Sequence, residues 1–333
     1  MITNNLERIK SVNIFYKLSN FLRTNNLYIK LEGMNIAGSI KIKPATALIS
    51  NLEIHHKLSP KKHTIIESSS GNLGIALSIV CKQKGYKFIC VVDPNITYVS
   101  EKLMLIYGAK LIKVTEQDKN GGYLNTRINK IKQIIKDNSD IIWTNQYAAF
   151  SNTESHYQTT AKEILDQIKK VDYLFIGAGT TGTLTGCAKY FAEQSPNTKI
   201  IAVDAYGSVT FNNKSFKRLI PGIGTSRKPE IFNNYNIHDV ILIKESDTIK
   251  MCHYLLKKYG LFLGGSSGSI IEAIRQFNKK STLSNLSKIV AISPDFGDKY
   301  INTIYNYHWI EKNYNTQLVK EVKDETKLFS YYS

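Results

Sequence analysis

The strongest constraint on this chain is an alternation that begins near His63 and continues almost to its end: a short apolar run, a glycine or polar turn, then a helical stretch. Runs over 64–67, 88–92, 110–114 and 141–143 predict strands, with helices over 73–82, 99–107, 124–136 and about 155–169. The second half repeats the scheme, with strands over 173–176, 199–203, 240–243 and 289–292 and helices over 184–193, 248–258 and 269–277. The strands are close to continuously apolar, as in a parallel sheet covered on both faces. The alternation therefore predicts an α/β fold of doubly wound domains with parallel sheets. At 333 residues the chain has room for about two domains of roughly 150 residues each. The polar, turn-like stretch from Asn145 to Asn152 marks the expected boundary.

Charge narrows the function classes. The chain carries 44 Lys+Arg against 27 Asp+Glu, a formal net charge of +17. The lysines of the 129–136 segment surround a stripe of Ile131, Ile134 and Ile135, the pattern of an ordinary solvated helix face. No arginine-rich run interleaves with aromatics, so no nucleic-acid partner is expected. A positive field that gathers small anionic substrates is the better functional reading. The chain has no apolar run of the ~18 residues a membrane span needs, and residues 1–8 lack an apolar signal core, so a cytoplasmic protein without a membrane partner is expected. Cys81, Cys90, Cys187 and Cys252 lie far apart without C-x-x-C spacing. They predict buried apolar thiols, and no metal site is expected.

Ligands of open α/β sheets sit beyond the carboxyl ends of the strands, which directs attention to four loops. Gly38-Ser39-Ile40-Lys41 sets one lysine after a small, flexible pair. Glu67-Ser68-Ser69-Ser70-Gly71-Asn72-Leu73-Gly74 joins a strand to a helix, and Gly177-Ala178-Gly179-Thr180-Thr181-Gly182-Thr183 does so again. Gly264-Gly265-Ser266-Ser267-Gly268 follows an apolar triplet. The third loop reads G-x-G-x-x-G, and Asp204 closes the next strand, as a dinucleotide fingerprint requires. Its three threonines suit a compact phosphate monoester better than a pyrophosphate over bare glycine backbone, since glycines admit helix N-terminal N–H groups to an anion and the hydroxyls add donors. Taken alone, this loop leaves a nicotinamide dehydrogenase and a phosphate-ester cofactor both open.

The four loops together, in this order, resemble the fold-type II pyridoxal-phosphate enzymes of the cysteine synthase and cystathionine β-synthase superfamily, from about Leu31 to Trp309. The resemblance implies a tryptophan synthase β-like architecture: a smaller mobile domain over 37–148 carrying the Asn72 loop, and a larger domain over 149–333 completed by residues 1–36. It implies pyridoxal 5'-phosphate as cofactor, with Lys41 as the Schiff-base lysine and Asn72 on the ring hydroxyl. Gly179, Thr180, Thr181, Gly182 and Thr183 would hold the phosphate, Ser266 would meet the pyridine nitrogen, and Ser69 and Ser70 would bind the substrate carboxylate. A serine on that nitrogen favours its unprotonated form, which suits loss of a β-substituent over transamination.

Within the superfamily, Gly121-Gly122-Tyr123-Leu124-Asn125-Thr126-Arg127, Asn145-Gln146-Tyr147, Ser155-His156-Tyr157 and Pro221-Gly222-Ile223-Gly224-Thr225-Ser226-Arg227 are similar to the siderophore-pathway N-(2-amino-2-carboxyethyl)-L-glutamate synthases. That likeness implies joining of O-phospho-L-serine to L-glutamate on the route to 2,3-diaminopropionate, in a homodimer, with Arg127 and Tyr147 recognising substrate. Arg227 is expected to join them, since its planar fork suits phosphate or carboxylate bidentately. Gly179 follows the cysteine synthase pattern, and a cysteine synthase using O-acetylserine or O-phosphoserine is the alternative. Lys41 is followed by Ile42-Lys43 where the superfamily commonly has Asp-Arg.

Overall fold

Continuously apolar strands need cover on both faces, and two parallel sheets with helices on either side supply it. The computed structural model describes residues 13–21, 26–118, 121–212, 214–281 and 283–332. Residues 1–8, read for a signal core, and the rest of 1–12 lie outside the described residues.

The chain opens with strands β1 (Phe15–Leu18) and β2 (Leu27–Leu31) and helix α1 (Ile42–His56). There follow β3 (Thr64–Ser68), α2 (Asn72–Lys84), β4 (Lys87–Val92), α3 (Tyr98–Ile106), β5 (Lys110–Lys113), α4 (Leu124–Lys136) and β6 (Ile141–Trp143). The second half comprises α5 (Phe150–His156), a π-helical turn (Tyr157–Ala161), α6 (Lys162–Ile168), β7 (Tyr173–Gly177), α7 (Gly182–Gln194), β8 (Lys199–Ala205) and β9 (Ile237–Ile243). It ends with α8 (Glu245–Tyr259), α9 (Gly265–Ser281), β10 (Ile289–Ser293), a 3-10 turn (Gly297–Tyr300), α10 (Tyr307–Asn313), α11 (Thr316–Lys323) and α12 (Glu325–Tyr332).

The smaller sheet has the order β5-β4-β3-β6 and is parallel throughout. The larger has the order β1-β2-β10-β7-β8-β9, parallel except for the antiparallel pair β1 and β2. Alternate residues of each strand feed opposite cores, as the two-residue strand period dictates. In the smaller sheet Ile65, Phe88 and Cys90 pack with Leu48, Ile75 and Leu77. Ile66 and Val91 face the other way, against Ile131 with Ile134 and Ile135 beside it. The isoleucine stripe seen in the sequence is thus the packing face of α4. In the larger sheet Phe175, Ile201 and Ala291 meet Ile270 and Ile274 of α9. Leu174, Ile176 and Val290 meet Leu184, Cys187 and Phe191 of α7.

The predicted α/β architecture is what the chain adopts, and every predicted strand is present within a few residues. The sequence reading missed α1, the β1–β2 pair and the three C-terminal helices. It also read 155–169 as one regular helix, where α5, the π turn and α6 run on from Phe150. All four cysteines are buried and free. No described helix is long and apolar enough to cross a membrane.

Candidate active site

Parallel strands ending at one edge leave their following loops side by side, and here those loops enclose a cavity of about 550 Å³. Lys41, Ser69, Ser70, Asn72, Arg127, Tyr147, Gly179, Thr180, Thr181, Gly182, Thr183 and Ser266 all line it. Residues widely separated in sequence therefore converge on one space.

Lys41 precedes α1 on a turn that Gly38 makes possible with φ +59°. Lys299 Nζ clamps the Gly38 carbonyl at 2.7 Å, and the Ile40 N–H bonds the Pro294 carbonyl at 2.8 Å. Desolvation of its ammonium lowers Lys41 to about 8, against the pull of Asp295. A lysine in this range supplies a neutral amine near neutrality, the form that attacks a carbonyl or takes a proton. Lys43 stands apart from the cavity. Its Nζ bonds Glu32 at 2.8 Å, Glu163 at 2.9 Å and Thr160 at 3.1 Å.

The serine loop is held by its own side chains. Ser69 Oγ accepts from the Gly74 N–H at 3.0 Å, while Ser70 Oγ donates to Asp93 at 2.9 Å and accepts from Arg127 at 3.1 Å. Arg127 also pairs with Asp93 at 3.2 Å, and its buried Nε has no protein partner. Asn72 does not cap α2. Its Nδ2 donates to Asp295 at 2.7 Å and its buried Oδ1 is unpartnered. Tyr300 donates to the same Asp295 oxygen at 2.6 Å. Burial pushes Asp295 upward, against Lys299, Tyr300 and Asn72.

The 179–183 loop leads into the N-terminus of α7. Thr181 sits at φ +66°, a costly conformation for a β-branched residue, and its buried Oγ1 lacks a partner. Gly182 presses against Asn152, whose Oδ1 would lie 2.2 Å from an added Cβ. A strained backbone, free helix N–H groups and an unpartnered hydroxyl make an anion cradle that the protein does not itself fill. Burial keeps the Tyr147 phenol protonated, since it is pushed up despite Arg127.

Two sequence readings are corrected. Arg227 does not line the cavity: its guanidinium bonds Glu230, while its neighbours Thr225 and Ser226 reach the wall. Arg218 lines the cavity instead, from the long connection between β8 and β9. Asp204 is not a ribose-binding carboxylate at a crevice. It is fully buried, accepts from the Ala205 N–H at 2.8 Å, and is pushed by burial to about 7, against Ser208, Ala205 and Arg218. Because its folded value lies above its unfolded one, the stability it contributes is present at acid pH and lost as pH rises through about 7. Asp204→Asn removes that loss. Denaturant titration is expected to show the variant gaining roughly 4 kcal/mol on the parent between pH 4 and pH 8, and a pH-independent gap would refute the assignment.

Glu67, marked in the sequence only as the start of its loop, has no role assigned there. It accepts from Thr144 at 2.5 Å, the Gln146 N–H at 3.0 Å, Trp143 at 3.2 Å and the Ser68 N–H at 2.6 Å, so one buried acid ties the end of β3 to the Tyr147 loop. Its place at a strand's carboxyl end was the available signal.

The model of a family described as pyridoxal-phosphate dependent enzyme matches residues 15–295. A hydrogen sulfide-producing enzyme from Fusobacterium nucleatum is 30% identical, over 90% of this chain and 100% of that one, with a TM-score of 0.83. An O-acetylserine dependent cystathionine beta-synthase from Helicobacter pylori is 28% identical, over 92% and 100%, with a TM-score of 0.83. O-ureido-L-serine synthase, crystallised as a mutant with O-ureido-L-serine bound, shares the fold with a TM-score of 0.84 at 23% identity, over 95% and 96%.

Proposed function

The chain belongs to the pyridoxal-phosphate dependent enzyme family, and on that premise we propose that it joins O-phospho-L-serine to L-glutamate by β-replacement, releasing N-(2-amino-2-carboxyethyl)-L-glutamate and phosphate for 2,3-diaminopropionate or siderophore-type biosynthesis. One observation carries the choice of substrates: two guanidiniums, Arg127 and Arg218, line the same cavity as the glycine-threonine loop. That is more anion-binding capacity than one cofactor phosphate uses, and it matches a phosphorylated donor and a dicarboxylate acceptor.

The cavity fits pyridoxal 5'-phosphate. The unpartnered Thr181 hydroxyl and the close-packed Gly179 and Gly182 suit its phosphate, and Asn72, with its free amide oxygen, and Ser266 line the same cavity. When bound, the cofactor supplies an electron sink that weakens the Cα–H bond of an attached amino acid. Lys41 is the residue that holds it and, once freed, the base that takes the Cα proton and later returns it. Arg127, held by Asp93 and Ser70 at the cavity wall, supplies a positive charge for substrate anions. Tyr147 stays a hydroxyl donor. Ser69 shapes the loop on which the substrate carboxylate rests. Residues 37–148 act as the smaller, mobile unit, closing on 149–333 with the N-terminal strands and excluding water. A cytoplasmic homodimer is the setting that the family resemblance supports.

A cysteine synthase is the second reading, favoured by Gly179 and by the likeness to the hydrogen sulfide-producing enzyme. Purified protein supplied with phosphoserine and either glutamate or sulfide separates the two. The expected result is a glutamate adduct formed mole for mole with phosphate. Cysteine from the sulfide arm, with no adduct in the other, would reverse the choice.

A further inference from the structure

Behind the 179–183 loop lies a chain of buried polar groups that none of the roles above uses. It begins at a cluster of four charges: Lys30 and Lys43 with Glu32 and Glu163. Lys30 lies 2.8 Å from Glu163 and 3.4 Å from Glu32, while Lys43 reaches both acids at 2.9 and 2.8 Å. Burial opposes the charge of Glu163, yet Lys43 and Lys30 hold it down to about 2. Lys43 spends its third N–H on Thr160 Oγ1 at 3.1 Å. Thr160 Oγ1 in turn meets His156 Nδ1 at 3.0 Å, and His156 Nε2 meets Thr183 Oγ1 at 3.2 Å.

The direction of each bond follows from what each group can do. A lysine ammonium has donors only, so Thr160 must accept from Lys43. Thr160 is completely buried, and among the described residues its only partners are Lys43 and His156. Its single proton must therefore go to His156 Nδ1, because the opposite arrangement would leave a buried hydroxyl proton with no acceptor. Burial, with Lys41 and Lys43 nearby, keeps His156 well below its usual range and hence neutral. A neutral imidazole that accepts at Nδ1 carries its proton on Nε2, and that proton goes to Thr183. The Thr183 hydroxyl then has its own proton free for the cavity.

We infer that His156 is a positioning residue, fixed as the Nε2–H tautomer by Lys43 through Thr160, and that it makes the Thr183 hydroxyl an obligate donor toward an anion in the 179–183 loop. The inference rests on the proposed role of that loop as the phosphate site. The packing supports it: at Gly186 an added Cβ would lie 2.4 Å from the Thr153 carbonyl oxygen and 3.0 Å from His156 Cβ, so this glycine lets α7 come close enough to α5 for the contact. A dianionic phosphate accepts hydrogen bonds and donates none, so a hydroxyl whose orientation is already set loses less freedom when the anion arrives.

Histidine-selective 15N NMR of the holoenzyme, with His156 assigned by its loss in His156→Gln, reads the tautomer directly. The expected spectrum shows a protonated Nε2 and an unprotonated Nδ1, unchanged from pH 6 to pH 9. A protonated Nδ1, or a ring that titrates in that span, overturns the inference and leaves the phosphate site standing. Equilibrium dialysis gives the second readout. Thr160→Val, which keeps the buried shape and breaks the relay, is expected to weaken pyridoxal 5'-phosphate binding about tenfold. Thr160→Ser should restore both affinity and tautomer. Thr183→Val is expected to lose at least as much affinity, and if it binds the cofactor unchanged, both the inference and the phosphate assignment fall.

Discussion

Lys41→Ala is expected to eliminate turnover and the visible absorption of the lysine-bound cofactor together. Burial gives Lys41 an amine that is neutral in a useful fraction near pH 7 to 8, since its value has fallen to about 8. Alanine removes the covalent attachment and the base at once, so the loss in rate should be at least about 10³-fold. Lys43→Arg is the informative partner. Lys43 is engaged with Glu32, Glu163 and Thr160, away from the cavity, so that variant keeps the visible band. A band lost in Lys43→Arg and kept in Lys41→Ala would reverse the roles of the two lysines. In the parent protein, the attachment of pyridoxal 5'-phosphate to cofactor-free enzyme should quicken as pH rises toward 8 and then level, because only the neutral amine reacts.

Gly182→Ala is the second large effect. The new methyl would lie 2.2 Å from Asn152 Oδ1 and 2.6 Å from its Cγ. Asn152 cannot swing aside, because it is buried and its Nδ2 holds the Gln146 carbonyl at 2.8 Å and Thr180 at 3.3 Å. The backbone of the cradle must move instead, at a cost of about 1–3 kcal/mol in stability. Cofactor affinity should fall more steeply than stability, by roughly 100-fold, since the displaced N–H groups are those aimed at the anion. Calorimetry and dialysis measure the two losses separately. A variant with a lowered Tm but the parent's cofactor affinity would show that the loop is structural only. Gly71→Ala gauges the background, since nothing lies within 4 Å of its added Cβ, and its Tm should stay close to the parent's.

Much of this architecture could be read in advance because buried parallel strands write themselves as apolar runs. The stretch 289–292 is such a run, and every residue of β10 is buried. Helix α1 was missed for the opposite reason. It follows directly on the lysine loop, and Lys43 and Pro44 near its start look like loop residues until burial among Glu32, Thr160 and Glu163 is known. The pair β1 and β2 is short, and pairing with β10 from the far end of the chain is a property no local pattern records.

The site shows the same division. Lys41, Asn72, the 179–183 loop and Ser266 are legible because strand ends and ordered motifs mark them. Arg218 is not, since Lys217-Arg218 in a polar segment reads as solvated surface. Only the length of the connection between β8 and β9 hinted at function. Arg227 misled because adjacency in sequence to Thr225 and Ser226 says nothing of where a side chain points on an irregular loop. His156 is the last residue of α5, and the partners that give it meaning come from the π-helical turn and α7.

The strand order of the larger sheet also dictates an order of assembly. β10 lies between β2 and β7, so both of those edges stay open until the ribosome has delivered Ile289–Ser293. The smaller sheet has no such dependence, because its last strand to be made is β6. A nascent chain stopped before residue 289 thus holds all the strands of one sheet and two unpaired edges of the other, the kind of exposed strand that invites pairing with a neighbouring chain. The interval before Ile289–Ser293 is made is therefore when these strand edges most need protection from aggregation.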